Sequence, residues 1–239
     1  IHGARRQNTP LHGERRHLTV LFSDLVGFTR LSEALDPEDL NDIIDAFEQK
    51  CRDSILRFGG YLDSFHGDCV LAFFGYPISR GDEAVRAIRA ALSLLGSVAS
   101  LKVPDARRVQ VHTGIATGPT AVHIVQGVPK FIGEAINVAA RLQTLARPGE
   151  ILVSDLAHAH AAGVFEFESR GTRQLKGFSQ RIPVWCVIPP SSVPEDSTRV
   201  RVGVDSPFVG RKHEITLLAE RWHQCRRGDG QALVILGGA

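Results

Sequence analysis

LFSDLVGFTR, residues 21–30, carries an apolar run into a carboxylate, Asp24, and after two more residues enters Gly27-Phe28-Thr29. Joined to His17-Leu18-Thr19-Val20, it forms a continuous apolar stretch rich in β-branched and aromatic side chains, the pattern of a strand buried on both faces. A carboxylate at the end of such a strand needs a partner. Asp24 is either a helix cap or surface-turn residue, or a metal ligand at a strand tip; spacing leaves both open.

The segments that follow set the fold around this strand. Asp36-Pro37-Glu38-Asp39 reads as a helix start, with an acid at the N-cap, proline at the first helical position and acids in the first turn. Leu40, Ile43, Ile44, Phe47, Cys51, Ile55 and Phe58 then recur at helical spacing until Gly59-Gly60. YLDSFHGDCVLAFFG, residues 61–75, reads as a hairpin turning near His66-Gly67-Asp68. A second amphipathic helix follows through Ala84, Val85, Ile88, Ala91, Leu92 and Leu95. RVQVHTGIATG (108–118) and TAVHIVQG (120–127) read as two strands. Glu134 to Ala146 reads as a third helix stopped by Pro148-Gly149, and EILVS, VFEFESRG and IPVWCVI supply closing strands. The order predicts an α/β (α+β) fold of the ferredoxin-like βαββαβ type, with a mixed, mainly antiparallel sheet and flanking helices.

That topology can return the 61–75 hairpin beside the first strand and bring Asp68 to Asp24. Two adjacent carboxylates repel unless a cation lies between them, which is how hard oxygen sites for Mg²⁺ are built. The backbone N–H groups of Gly27-Phe28-Thr29 could turn toward phosphate. The alternative makes Asp68 an ordinary type I′ hairpin residue.

Composition narrows the function classes. The 239 residues carry 28 basic and 26 acidic side chains, a net charge of +2, which offers no electrostatic case for nucleic acid or an anionic membrane. Cys51, Cys69, Cys186 and Cys225 are scattered without a CxxC pair and read as thiols of a reducing, cytoplasmic compartment. No apolar run approaches the roughly 18 residues of a membrane span. The chain starts at Ile1 and contains no methionine, so it reads as a piece of a longer protein. Its expected organisation is a flexible lead-in at 1–17, a catalytic domain at 18–188, a Pro/Ser-rich linker at 189–206 and the start of another module at 207–239.

ERRHLTVLFSDLVGFTRLSEALDPEDL (14–40), GGYLDSFHGDCVLAFFGYP (59–77), AINVAARLQTLARPGEILVS (135–154) and LKG (175–177) occur in this order. Together they resemble the class III nucleotidyl cyclase catalytic domain. The resemblance implies two Mg²⁺ or Mn²⁺ ions per site, held by Asp24, Asp68 and the backbone carbonyl of Leu25, and attack of a ribose 3′-hydroxyl on the α-phosphorus. It makes Gly27, Phe28 and Thr29 the turn around the β- and γ-phosphates, Asn137 the ribose-orienting residue, Arg141 the α-phosphoryl contact and Lys176 a triphosphate contact. It also implies a head-to-tail homodimer, because the acids and the Asn/Arg set come from different subunits.

The base-reading positions depart from the family. Adenylyl members usually place lysine four residues before the second metal acid and Asp or Thr seven before the asparagine; here these are Ser64 and Lys130. A lysine ammonium only donates, which opposes the N6 amine of adenine and suits O6 of guanine. Guanylyl members usually have an acid at the first position, which is missing too. Glu134 replaces the usual Asp of an IGD motif at a helix start. The expected activity is an adenylate cyclase making 3′,5′-cyclic AMP and pyrophosphate from ATP. The alternatives are GTP as substrate, or a catalytically weak nucleotide-binding regulatory domain. His66-x-x-Cys69 and His158-Ala159-His160 are single pairs and read as surface or packed side chains rather than metal sites. His112 and His123 read as structural. PFVGRKHEITLLAERW (207–222) resembles the entry to an AAA/STAND-type ATPase module, with LVILGGA (233–239) as the strand into its phosphate loop.

Overall fold

The computed structural model describes residues 13–101 and 109–189, together with 216, 217 and 221. The chain divides into two units, Ile1–Arg199 and Val200–Ala239. The expected linker and ATPase entry lie outside the described residues, apart from Pro189 and helical Thr216, Leu217 and Arg221.

In the first unit, β1 (Glu14–Leu25), α1 (Phe28–Ala34) and α2 (Pro37–Arg57) lead into the hairpin β2 (Tyr61–His66) and β3 (Cys69–Phe74). Then come α3 (Glu83–Val98), β4 (Val111–Val125), β5 (Val128–Gly133) and α4 (Glu134–Leu145). β6 (Ile151–Ser154), α5 (Asp155–Ala161), β7 (Glu166–Gln174) and β8 (Arg181–Ile188) complete it. The sheet runs β2-β3-β1-β4-β6-β8-β7, with β5 paired to β4 beside this path. Among the described residues only β4 and β6 are parallel. The βαββαβ core with a mainly antiparallel sheet is the expected fold.

β1 explains why both faces of the sheet are covered. Leu18 and Val20 point to one face and pack with Ala135, Val138, Ala139 and Leu142 of α4. Leu21 and Leu25 point to the other, among Ile43, Phe47, Cys51 and Ile55 of α2 and Ile88 and Leu94 of α3. Each side chain changes face with the period of two. At the start of α2, Pro37 takes the first turn after Asp36 in extended backbone, but the Asp36 carboxylate makes no capping bond. The acids Glu38 and Asp39 act there through the field of the helix N-terminus.

Three expectations are corrected. The lead-in expected over 1–17 gives way to strand at Glu14, because Glu14–His17 continue the ladder opposite Pro119–Val122. Charged side chains do not prevent this; the backbone pairing with a long neighbour supplies it. The two strands expected at 108–118 and 120–127 are one strand, β4. Gly118-Pro119 reads as a break, yet Pro119 falls between the residues paired to β6 (113–115) and those paired to β5 (120–125), where its missing N–H forfeits no bond on that side. Finally, β5, α1 and α5 were not expected. The signal for β5 is Gln126-Gly127, both at positive φ (53° and 81°), as a two-residue type I′ connection requires.

Candidate active site

Asp24 lies in register between two neighbours, opposite Cys69 of β3 and opposite His112 of β4. The strand tip is pinned on both sides: Leu25 N–H donates to the Asp68 carbonyl at 3.1 Å, and Val26 N–H to the Gln110 carbonyl at 2.8 Å. Asp68 occupies the two-residue turn between β2 and β3, and the first of these bonds holds that turn against the end of β1. Of its two residues only Gly67 has positive φ, which removes the type I′ reading of Asp68. No helix starts at Asp24 either; the N-cap of α1 is Gly27, in left-handed backbone at φ 76°. The helix-cap reading of Asp24 therefore fails, and Asp68 stays a hairpin-turn residue but not of type I′.

What remains is a strained pair of carboxylates. Partial burial, and then the adjoining Asp24 carboxylate, push Asp68 up from 3.8 to about 6. Burial and the same two acids push the Cys69 thiol up to about 12, which keeps it neutral and a poor ligand. His112 is raised chiefly because its charged ring would donate a hydrogen bond to Asp24. Asp24 Oδ2 accepts a hydrogen bond from Gln143 Nε2 at 3.2 Å and lies 3.5 Å from His112 Nε2, whereas Oδ1 is buried without a partner. An orphaned carboxylate oxygen beside a second acid fits a divalent cation, which would lower the repulsion and satisfy the lone pairs. Among the described residues no cluster of three or more His, Cys, Asp and Glu side chains is placed to hold a metal.

These shifts fix the pH dependence of the metal-free fold. Folded Asp68 keeps its proton to about pH 6, whereas the unfolded chain releases it near 3.8. The folded state binds more protons in that window, so this contribution is complete below 3.8 and lost as pH rises to 6. His112, raised above 6.5, acts in the same direction: its contribution is present below 6.5 and lost as pH rises through its folded value. The urea midpoint of the metal-free protein is expected to fall as pH rises from 3.8 past 6.5, and Mn²⁺ is expected to reverse that fall above pH 6. Unfolding curves with and without Mn²⁺ check this.

The other expected site residues lie elsewhere. Asn137 and Arg141 stand one turn apart on the exposed side of α4, and neither side chain makes a hydrogen bond or ion pair among the described residues. Asn137, Ile132, Gly133, Glu134 and the turn Gly177-Phe178-Ser179 line a hollow of about 560 Å³. Neither Asp24 nor Asp68 lines it. Lys130, in β5 opposite His123, and Lys176, before Gly177, are both exposed. Ser64 follows a register shift in the β2–β3 ladder, and its hydroxyl donates to Asp63 Oδ2 at 2.9 Å, with His66 Nε2 3.1 Å away. The expected residues thus form two groups, a pair of acids at the strand tips and an exposed α4 face. Sequence reasoning missed Gln143 and took His112 as structural. The signal for Gln143 was its place four residues after Ala139 on the buried stripe of α4, where a polar side chain needs a partner.

This sheet, with two acids at adjacent strand tips, is the framework of a nucleotide cyclase. Residues 12–188 match the family described as the adenylate and guanylate cyclase catalytic domain, and the chain belongs to it. The crystal structure of the adenylyl cyclase CyaB from P. aeruginosa is similar with a TM-score of 0.68 and 30% identity, covering 75% of this chain and 97% of that one. The guanylyl cyclase Cya2 is similar with a TM-score of 0.68 and 29% identity, covering 73% and 93%. An uncharacterized protein of Rhizobium meliloti is 30% identical over 243 residues, 95% of this chain. The chain spans 22% of that relative's length.

Proposed function

We propose that this domain cyclises a purine nucleoside triphosphate, in the first reading ATP to 3′,5′-cyclic AMP and pyrophosphate, at composite sites of a head-to-tail homodimer. The observation that carries it is the pairing of Asp24 and Asp68, with Asp24 Oδ1 buried and unpartnered. Asp24, Asp68 and the Leu25 carbonyl would hold divalent cation, which supplies charge neutralisation for the triphosphate and acidity for the ribose 3′-hydroxyl. Gly27, Phe28 and Thr29 form the turn for the β- and γ-phosphates. Asn137 orients the ribose, Arg141 meets charge developing on the α-phosphoryl group, and Lys176 contacts the triphosphate.

The dimer is supported by the separation of the two groups. Gln143 touches Asp24 from the buried side of α4, whereas Asn137 and Arg141, six and two residues earlier, stand on its exposed side. The acids of one subunit need the Asn137 and Arg141 of another. The β4–β5 hairpin also exposes Ile124, Val125, Val128 and Ile132, an apolar surface that a second copy would cover.

The choice of ATP follows the 30% identical adenylyl cyclase. GTP is the second reading, favoured by Ser64. Its single proton is given to Asp63, so it offers a ligand only lone pairs, which suit the N1–H and N2 amine of guanine, while Lys130 suits O6. The segment from residue 207 is proposed as the start of an ATPase module on the strength of its sequence, PFVGRKHEITLLAERW followed by LVILGGA. Mass spectrometry of products formed with Mn²⁺ and ATP or GTP, at high protein concentration, tests the reading. Cyclic AMP is the expected product; cyclic GMP alone selects the second reading. No cyclic product from a confirmed dimer leaves a regulatory nucleotide-binding domain.

A further inference from the structure

Gln143 is buried on α4; its Oε1 accepts from the Thr144 hydroxyl at 3.4 Å, and its NH2 group points away from the helix. Its Nε2 lies 3.2 Å from Asp24 Oδ2 and 2.7 Å from His112 Nε2. The other ring nitrogen, His112 Nδ1, lies 3.3 Å from the Ala146 carbonyl, which can only accept. The proton of the neutral ring is therefore on Nδ1, and Nε2 is an acceptor. The two amide hydrogens of Gln143 then meet two acceptors, Asp24 Oδ2 and His112 Nε2. One oxygen of Asp24 is held, and the other, Oδ1, is buried and unengaged.

The backbone is shaped for this reach. A Cβ on Gly114 of β4 would lie 2.1 Å from the Ala139 carbonyl oxygen and 2.3 Å from Gln143 N. Only a bare strand lets α4 approach closely enough for Gln143 to cross to Asp24 of β1.

We propose that Gln143, oriented by His112, is the positioning residue of Asp24. It fixes the carboxylate rotamer so that Oδ1 faces the cation and Oδ2 does not. The proposal rests on reading Asp24 as a metal acid. It also means that α4 has a different task on each side: Gln143 serves the acids of its own subunit, and Asn137 and Arg141 serve the nucleotide bound to the partner's acids.

The test is Mn²⁺ affinity, read by electron paramagnetic resonance of the free ion without nucleotide. Gln143→Leu keeps the volume and removes both donors; Gln143→Asn keeps an amide but withdraws it by one carbon. Both are expected to weaken Mn²⁺ binding about 10- to 100-fold, the range for residues that orient a metal ligand. Leu145→Ala, an exposed change on the same helix, is expected not to move it. Asp24→Asn is the control and should lose the binding. Native Mn²⁺ affinity in a folded Gln143→Leu or Gln143→Asn chain, with binding lost in Asp24→Asn, overturns the proposal. Native affinity in Asp24→Asn overturns the metal reading beneath it, and the proposal with it.

Discussion

Asp24→Asn is expected to leave a folded chain whose cyclase turnover is lower by on the order of 10³-fold or more, the scale of removing a metal-held charge from phosphoryl chemistry. The substitution is nearly isosteric, and the new amide oxygen still accepts from Gln143. What disappears is one negative charge beside Asp68. Two effects of opposite sign follow. Activity is lost because a neutral amide is a weak ligand for a hard cation. The metal-free fold is relieved, because Asp24 supplies part of the push that holds Asp68 near 6. Desolvation, the larger cause, stays in place, so the Asp68 midpoint is expected to fall only part of the way toward 3.8. Carboxylate titration by NMR, beside a cyclase assay, reads both effects. A variant that is inactive because it has unfolded would show the Asp68 midpoint all the way down at 3.8 and no cooperative melt.

Gly114→Ala is the second large effect, and it acts on the fold. The added Cβ would meet backbone atoms, the Ala139 carbonyl oxygen at 2.1 Å, Gln143 N at 2.3 Å and the Leu142 carbonyl carbon at 3.0 Å. No rotamer change removes such a clash; α4 has to move away from β4. That opens the contact between Val138, Ala139 and Leu142 and the sheet. Overpacking by one carbon typically costs about 1–3 kcal/mol, and the upper end or beyond is expected where the obstacle is backbone. Gly96, on the exposed side of α3 with nothing near its Cβ position, is the comparison: Gly96→Ala is expected to be neutral or stabilising. Urea unfolding of the two variants separates steric approach from glycine's general flexibility. Because α4 carries Gln143, any Gly114→Ala protein that folds is also expected to bind Mn²⁺ more weakly.

Much of this was legible in the sequence, for local reasons. Apolar periodicity gave α2, α3 and α4, since the stripes Ile43-Phe47-Cys51-Ile55 and Ala135-Val138-Ala139-Leu142 are burial written at helical spacing. The β2–β3 hairpin followed from its turn residues. The pairing of Asp24 with Asp68 could be suspected because each lies where a strand meets a turn. What escaped depends on long-range register. That Pro119 is tolerated inside β4 follows from where β5 and β6 stop pairing, which no local window contains. That Gln143 reaches Asp24, 119 residues away, requires Gly114 to be read as a close approach rather than as one more strand residue. The short helices α1 and α5, seven residues each, carry too little periodicity to show.

The most direct test of the composite site is complementation. Asp24→Ala and Arg141→Ala chains are each inactive as homodimers on this account, since every site lacks either its acid or its arginine. Mixed together, they form heterodimers in which one site joins the native Asp24 and Asp68 of one chain to the native Asn137 and Arg141 of the other. Cyclic nucleotide production that appears only on mixing is the result predicted. Two inactive chains that stay inactive when a heterodimer has been isolated, or an Arg141→Ala homodimer as active as the native protein, would contradict it.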